Sequence, residues 1–152
     1  MLGIHTKPKK NNTMRTESTS TAGYLLLFRG SNWRNSLSPE QIQTLMSEWA
    51  AWFNRLAEEG KLKGGQPLER EARVVSGANR VVSDGPFAES KEEIGGYFYL
   101  TVEDLDAAVE VAKQCPGLGY GISVEVRPVA DQCPYTRAVA NASTPELVEA
   151  GA

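Results

Sequence analysis

Two short segments of this chain, YLLLF at residues 24–28 and IGGYFYL at residues 94–100, run without a polar break. Side chains of a strand alternate between its two faces, so a run with no polar alternation has both faces to hide. Arg29 and Gly30 end the first segment and Thr101 follows the second, lengths that suit strands in the middle of a sheet. Any fold for this sequence must cover both sides of two central strands.

The intervening segments supply cover for one side. Ser38, Pro39 and Gln41 carry the signs of a helix start: an N-cap hydroxyl, a proline at the first helical position, and a glutamine three residues on that completes a capping box. From there Ile42, Leu45, Met46, Trp49, Phe53 and Leu56 follow helical spacing as far as Gly60, with Trp52 on the flank of the stripe. Trp49 therefore reads as core, whereas Trp52 is placed as readily on a cleft wall. LKGGQPL (62–68) reads as an irregular strand, and ARVVS and RVVSD around Gly77, Ala78 and Asn79 as a hairpin. A second helix is expected from Thr101 to about Gln114, with Leu105, Ala108, Val109 and Ala112 on one face, Glu103, Asp104 and Asp106 in its first turn, and Pro116 and Gly117 ending it. Ile122, Val124 and Val126 then alternate with Ser123, Glu125 and Arg127 as a strand with one wet face.

Strand, helix, strand, hairpin, strand, helix, strand is an α+β order, the βαββαβ plan with an inserted hairpin. The expected domain is 23–130, with a disordered N-terminal tail (1–22) and a C-terminal tail (131–152); Met14 is an alternative start. In that plan both helices lie on one face of the sheet, and a second copy of the chain is the simplest cover for the other. The sequence thus predicts a homodimer.

Composition narrows the function classes. A net charge of −3 gives no general attraction to nucleic acid or to an anionic membrane. No apolar run approaches the roughly 20 residues that cross a bilayer, and the N-terminus lacks the apolar core of a secretory signal, so the expected location is cytoplasmic. Cys115 and Cys133 read as two free thiols, and no Cys/His cluster suggests zinc. The one histidine, His5, lies in the tail, which excludes a Ser/His/Asp or Cys/His arrangement in the domain; no phosphate-binding glycine motif occurs. No cofactor and no metal site is expected.

The segment SDGPFAESKEE (83–93) stands out between strands. In one reading it is a structural turn: Asp84 bonds the backbone two residues on, Gly85 relieves the restriction before Pro86, and Phe87 anchors the loop. In the other it is a site in the cleft between sheet and first helix. There Asp84 is a base or orienting carboxylate, Lys91 its charge partner or an anion binder, and Glu89, Glu92 or Glu93 a second polar group; Arg29, Trp52 and Phe87 are ligand-binding walls.

SDGPFAESKEEIGGYFYL, with YLLLFRG, VEDLDAAVEVAKQCPG and SVEVRPV, resembles the DGPF branch of the YCII-related domain family over residues 24–129. The resemblance implies a ferredoxin-like βαββαβ fold paired through its sheets, the dimeric α+β barrel. Family members are mostly small bacterial proteins of unknown function, and the wider group holds a pocket with a histidine and aspartate pair. Asp84 matches the aspartate of the DGPF motif, and Glu89, Lys91 and Glu92 match polar positions that travel with it; the absence of a domain histidine means that the pair does not carry over. Some relatives are associated with alternative sigma factors, which implies a regulatory module working through a protein partner as the alternative to a small-molecule site.

Overall fold

The computed structural model describes residues 21–30, 32–85 and 92–142. In chain order these form β1 (Thr21–Arg29), a 3-10 helix (Asn32–Ser36), α1 (Pro39–Glu58), β2 (Leu62–Pro67), β3 (Ala72–Ser76), β4 (Val81–Gly85), β5 (Ile94–Leu100), α2 (Leu105–Ala112), a second 3-10 helix (Pro116–Tyr120), β6 (Ser123–Ala130) and α3 (Pro134–Ala142). The protein is a mixed α+β fold built on an antiparallel sheet of order β2-β5-β1-β6, with β3 and β4 paired as a separate two-stranded sheet. The two central strands are the two doubly apolar segments.

Alternation along those strands divides the sheet into two different faces. Tyr24, Leu26 and Phe28 of β1 and Phe98 and Leu100 of β5 are buried with Trp52 and Leu56 of α1 and Ala108, Val111 and Ala112 of α2. That is the core, and its driving force is the removal of these side chains from water. Leu25, Leu27, Tyr97 and Tyr99 point the other way and stay half-buried. Pairing brings them together, with Leu25 opposite Tyr99 and Leu27 opposite Tyr97, while Arg127 and Glu125 border them on β6. The second face is thus an apolar patch with a charged margin.

Helix α1 starts as its sequence dictates: the Ser38 hydroxyl accepts from the Gln41 N–H at 3.2 Å, and the Gln41 side chain accepts from the Ser38 N–H at 2.9 Å. Its rotation differs from the expected one. At about 100° per residue, Leu45, Trp49, Trp52 and Leu56 lie within an arc of about 60°, and Met46, Ala50 and Phe53 follow on one side of it. The sheet takes the first arc, so Trp52 is 2% exposed while Met46 is 42% exposed. Trp52 is core rather than a cleft wall.

Helix α2 begins at Leu105, later than Thr101. Asp104 caps it by accepting from the Ala107 N–H at 2.8 Å. Thr101 is committed elsewhere: its hydroxyl donates to the Gly60 carbonyl at 3.0 Å and its N–H to the Lys61 carbonyl at 2.8 Å, tying the end of β5 to the turn after α1. The region assigned to tails also differs, since Thr21 and Ala22 belong to β1 and Pro134–Ala142 is helical. Pro134 suits the first position of α3, and the thiol of Cys133 takes an N–H bond from Thr136 in place of the usual hydroxyl or carboxylate cap. Residues 1–20, the greater part of the expected N-terminal tail, lie outside the described residues, as does the end of the C-terminal one. No helix among the described residues is long and apolar enough to cross a membrane.

Candidate functional site

Where Trp49 and Phe53 pack at the margin of the core and Met46 and Ala50 pass beyond it, a cleft of about 540 Å³ opens between α1 and the Phe28 and Phe98 end of the sheet. Glycines shape its floor. A Cβ at Gly65 would lie 2.6 Å from Cδ1 of Phe98 and 2.7 Å from the carbonyl oxygen of Tyr97, so only glycine lets β2 approach β5 there. The rings of Phe28, Trp49, Phe53 and Phe98 meet edge to face, with centroids 4.9 Å apart for Phe28 and Trp49, 4.9 Å for Phe28 and Phe98, and 5.4 Å for Phe53 and Phe98. Trp33, from the first 3-10 helix, completes the aromatic lining, with the Arg34 guanidinium over its ring at 5.1 Å.

The end of β1 fixes the polar part of the cleft. Gly30, at φ +109°, turns the chain in a conformation that favours glycine. Its N–H donates to the Glu93 carbonyl at 3.0 Å, and Arg29 donates to the neighbouring Glu92 carbonyl at 3.2 Å. Glu93 is thereby held at the head of β5 with its side chain 13% exposed and Nε of Arg70 3.8 Å from its carboxylate. Aromatic walls with a carboxylate set among them can hold a flat or apolar molecule and accept a hydrogen bond from it.

The residues expected at a site fall into several places. Asp84 ends β4 on the hairpin, 87% exposed, with Nε of Arg73 at 3.2 Å across the strands; it does not line the cleft. Arg29 follows Leu25 and Leu27 on the second face of the sheet, where it donates to Glu125 at 2.9 Å, and that hydrogen bond holds the Glu125 carboxyl below its ordinary value. Glu92 enters through its backbone carbonyl, and Trp52 is in the core with its Nε1 buried and without a partner. Phe87, Glu89 and Lys91 lie outside the described residues. Sequence pattern does not mark the lining itself: Trp33, Arg34 and Arg70 sit in irregular segments without periodicity, and helical spacing puts Trp49 and Phe53 on the core stripe, against which they pack while also walling the cleft.

A second hollow of about 580 Å³ at the opposite end of β1, bounded by Gly23, Lys61 and Thr101, has no aromatic side chain in its wall. Both cysteines are free: Cys115 is buried, which pushes its thiol up to about 11, whereas exposed Cys133 is held below the ordinary value by N–H bonds from Thr136 and Tyr135 and by the Thr136 side chain. Among the described residues no three of His, Cys, Asp and Glu converge on one point.

An uncharacterized protein of Rhizobium meliloti (strain 1021) is 29% identical over 117 residues, which cover 70% of this chain and 90% of that protein. Among solved structures, the 5-chloro-2-hydroxyhydroquinone dehydrochlorinase of Burkholderia phenoliruptrix, in complex with 2,5-dihydroxybenzoquinone, aligns at a TM-score of 0.35 and 17% identity over 68% of this chain and 90% of the other. Residues 24–132, from the buried part of β1 past the end of β6, match the YCII-related domain, and the chain belongs to that family.

Proposed function

We propose that this protein binds a small molecule in the cleft between α1 and the sheet, as a homodimer of the DGPF branch of its family. The observation that carries the reading is the cleft: about 540 Å³, within the roughly 300–1,000 Å³ of small-molecule sites, with aromatic walls and few inward polar groups. The strand order β2-β5-β1-β6 supports a ferredoxin-like plan. The apolar patch of Leu25, Leu27, Tyr97 and Tyr99 supports pairing of two such sheets into a dimeric α+β barrel. Light scattering at micromolar concentration should give a dimer, and Leu27→Glu a monomer; a wild-type monomer rejects the pairing.

The catalytic form of this reading makes Asp84 the base or orienting carboxylate with Lys91 as its charge partner. One observation favours a second reading, a regulatory module acting on a protein partner: Asp84 is solvent-exposed and bonded to Arg73, as in a turn that serves the hairpin alone. A thermal-shift screen of small organic molecules decides between them when Asp84→Asn and Trp49→Ala are run beside wild type. A ligand at 100 times its dissociation constant stabilises a fold by about 2.7 kcal/mol. A compound that shifts wild type but not Trp49→Ala locates the site in the cleft, and loss of that shift in Asp84→Asn as well brings the DGPF turn into it. Compounds that shift wild type and Trp49→Ala alike reject the cleft.

A further inference from the structure

Of the polar side chains around the cleft, Arg34, Asn35, Asn54, Gln66, Glu69 and Arg70 belong to exposed residues, and Glu93 alone is drawn inside. Its carboxylate is therefore the polar group that a ligand meets beyond the rim. A carboxylate offers about four lone-pair sites, and the Arg70 Nε at 3.8 Å is within ion-pair range but beyond hydrogen-bond length. Glu93 thus has acceptor capacity facing aromatic walls, while Arg70, with its side chain 74% exposed, is a weak competitor for it.

We propose that the ligand is a small organic cation, a protonated primary amine on an aromatic or apolar body. Its ammonium group bonds Glu93, and its body packs against Trp49 and Phe53. This inference rests on the cleft being a ligand site. Two features select a cation over an anion. The faces of aromatic rings are negative, so an aromatic cleft favours a positive group, and the guanidinium of Arg34 over Trp33 shows that attraction already at work on the rim. An anion reaching the same depth would put its charge beside Glu93, where like charges repel.

The test compares three probes of similar shape and different charge, phenethylammonium, phenylpropionate and phenethyl alcohol, by ligand-detected NMR and calorimetry. Each is measured with wild type, Glu93→Gln, Arg70→Ala and Ala50→Trp, the last to block the mouth of the cleft, and the melting curve of each variant confirms folding. Wild type should prefer the ammonium by roughly tenfold or more, the scale of one charge-assisted hydrogen bond, and Glu93→Gln should erase the preference. Arg70→Ala should tighten ammonium binding by removing the competing guanidinium, a gain that a misfolded variant cannot imitate. Equal or tighter binding of phenylpropionate or of the alcohol, or weaker ammonium binding by Arg70→Ala, overturns the cation assignment and leaves the cleft standing. If no probe binds wild type, or if Ala50→Trp binds all of them unchanged, both the assignment and the cleft reading fail.

Discussion

Replacing the two tryptophans of α1 one at a time separates core from cleft. Trp52→Ala empties a position that is 2% exposed and whose ring lies 4.9 Å from Phe98, 5.8 Å from Trp49 and 6.0 Å from Phe28. Truncating a buried aromatic residue to alanine costs about 3–5 kcal/mol in lost transfer energy and residual cavity. Part of that loss is returned. The Trp52 Nε1 is buried without a partner, and such a group weakens the fold by about 1–3 kcal/mol while it is present. For a single neutral N–H that penalty lies at the low end, about 1 kcal/mol, so the net expectation is a loss of about 2–4 kcal/mol, a large share of the 5–15 kcal/mol by which a domain is stable.

Trp49→Ala should cost less, about 1–2 kcal/mol, because its ring already borders open space and no sealed void is left. Trp52→Phe keeps one ring and deletes the orphan N–H, so a small void and a removed penalty nearly cancel, to within about 1 kcal/mol. The assay is urea unfolding followed by far-ultraviolet circular dichroism, which does not depend on the tryptophans being altered. The order of midpoints should be wild type close to Trp52→Phe, then Trp49→Ala, then Trp52→Ala. A reversed order of the two alanine variants would show that α1 is rotated the other way and that Trp52 faces the cleft. A Trp52→Phe loss as large as that of Trp52→Ala would show that the indole N–H has a partner.

Gly117→Ala would bring a methyl against Ile122 and to 2.9 Å from Cζ3 of Trp49, so it should lower stability by about 1–3 kcal/mol and alter probe binding from behind the cleft wall. With a thiol reagent at neutral pH, Cys133 should label rapidly and Cys115 only after unfolding, because burial keeps Cys115 protonated and shielded whereas Cys133 is exposed and its thiolate is favoured. The Glu125 carboxyl is lowered in the fold by Arg29, so their bond stabilises the protein above the ordinary 4.5 and its contribution is lost as pH falls through the lowered value. Arg29→Met should return the Glu125 titration, followed by NMR, toward 4.5 and flatten that part of the acid dependence of stability.

The parts of the fold that could be read from sequence are those fixed by local chemistry. Consecutive apolar residues marked β1 and β5 as central strands, and Ser38, Pro39 and Gln41 marked the start of α1 because a capping box is complete within one turn. The start of α2 was not legible to the same degree. Glu103, Asp104 and Asp106 all suit a first turn, and the choice was made by the bonds from Thr101 to Gly60 and Lys61, which are distant in sequence. Nor did Cys133 announce α3, since cysteine is not among the preferred caps.

The lining of the cleft, rather than its place between the sheet and the first helix, was missed for a related reason. A helical stripe carrying Ile42, Leu45, Met46, Trp49, Trp52, Phe53 and Leu56 is wider than the strip of sheet it meets, so one flank must stay uncovered, and periodicity does not say which. The sheet chose, and the flank left over became the cleft wall. The acidic run from Asp84 to Glu93 likewise gave a real signal whose location depends on where strands end. Asp84 leaves with the hairpin toward solvent, whereas Glu93 sits beside β5 and is fixed from behind by the Gly30 N–H. A carboxylate at the head of a central strand, tied through its own carbonyl to the end of the neighbouring strand, is aimed by the sheet itself; a ligand held there would sense any change in the register of β1 against β5.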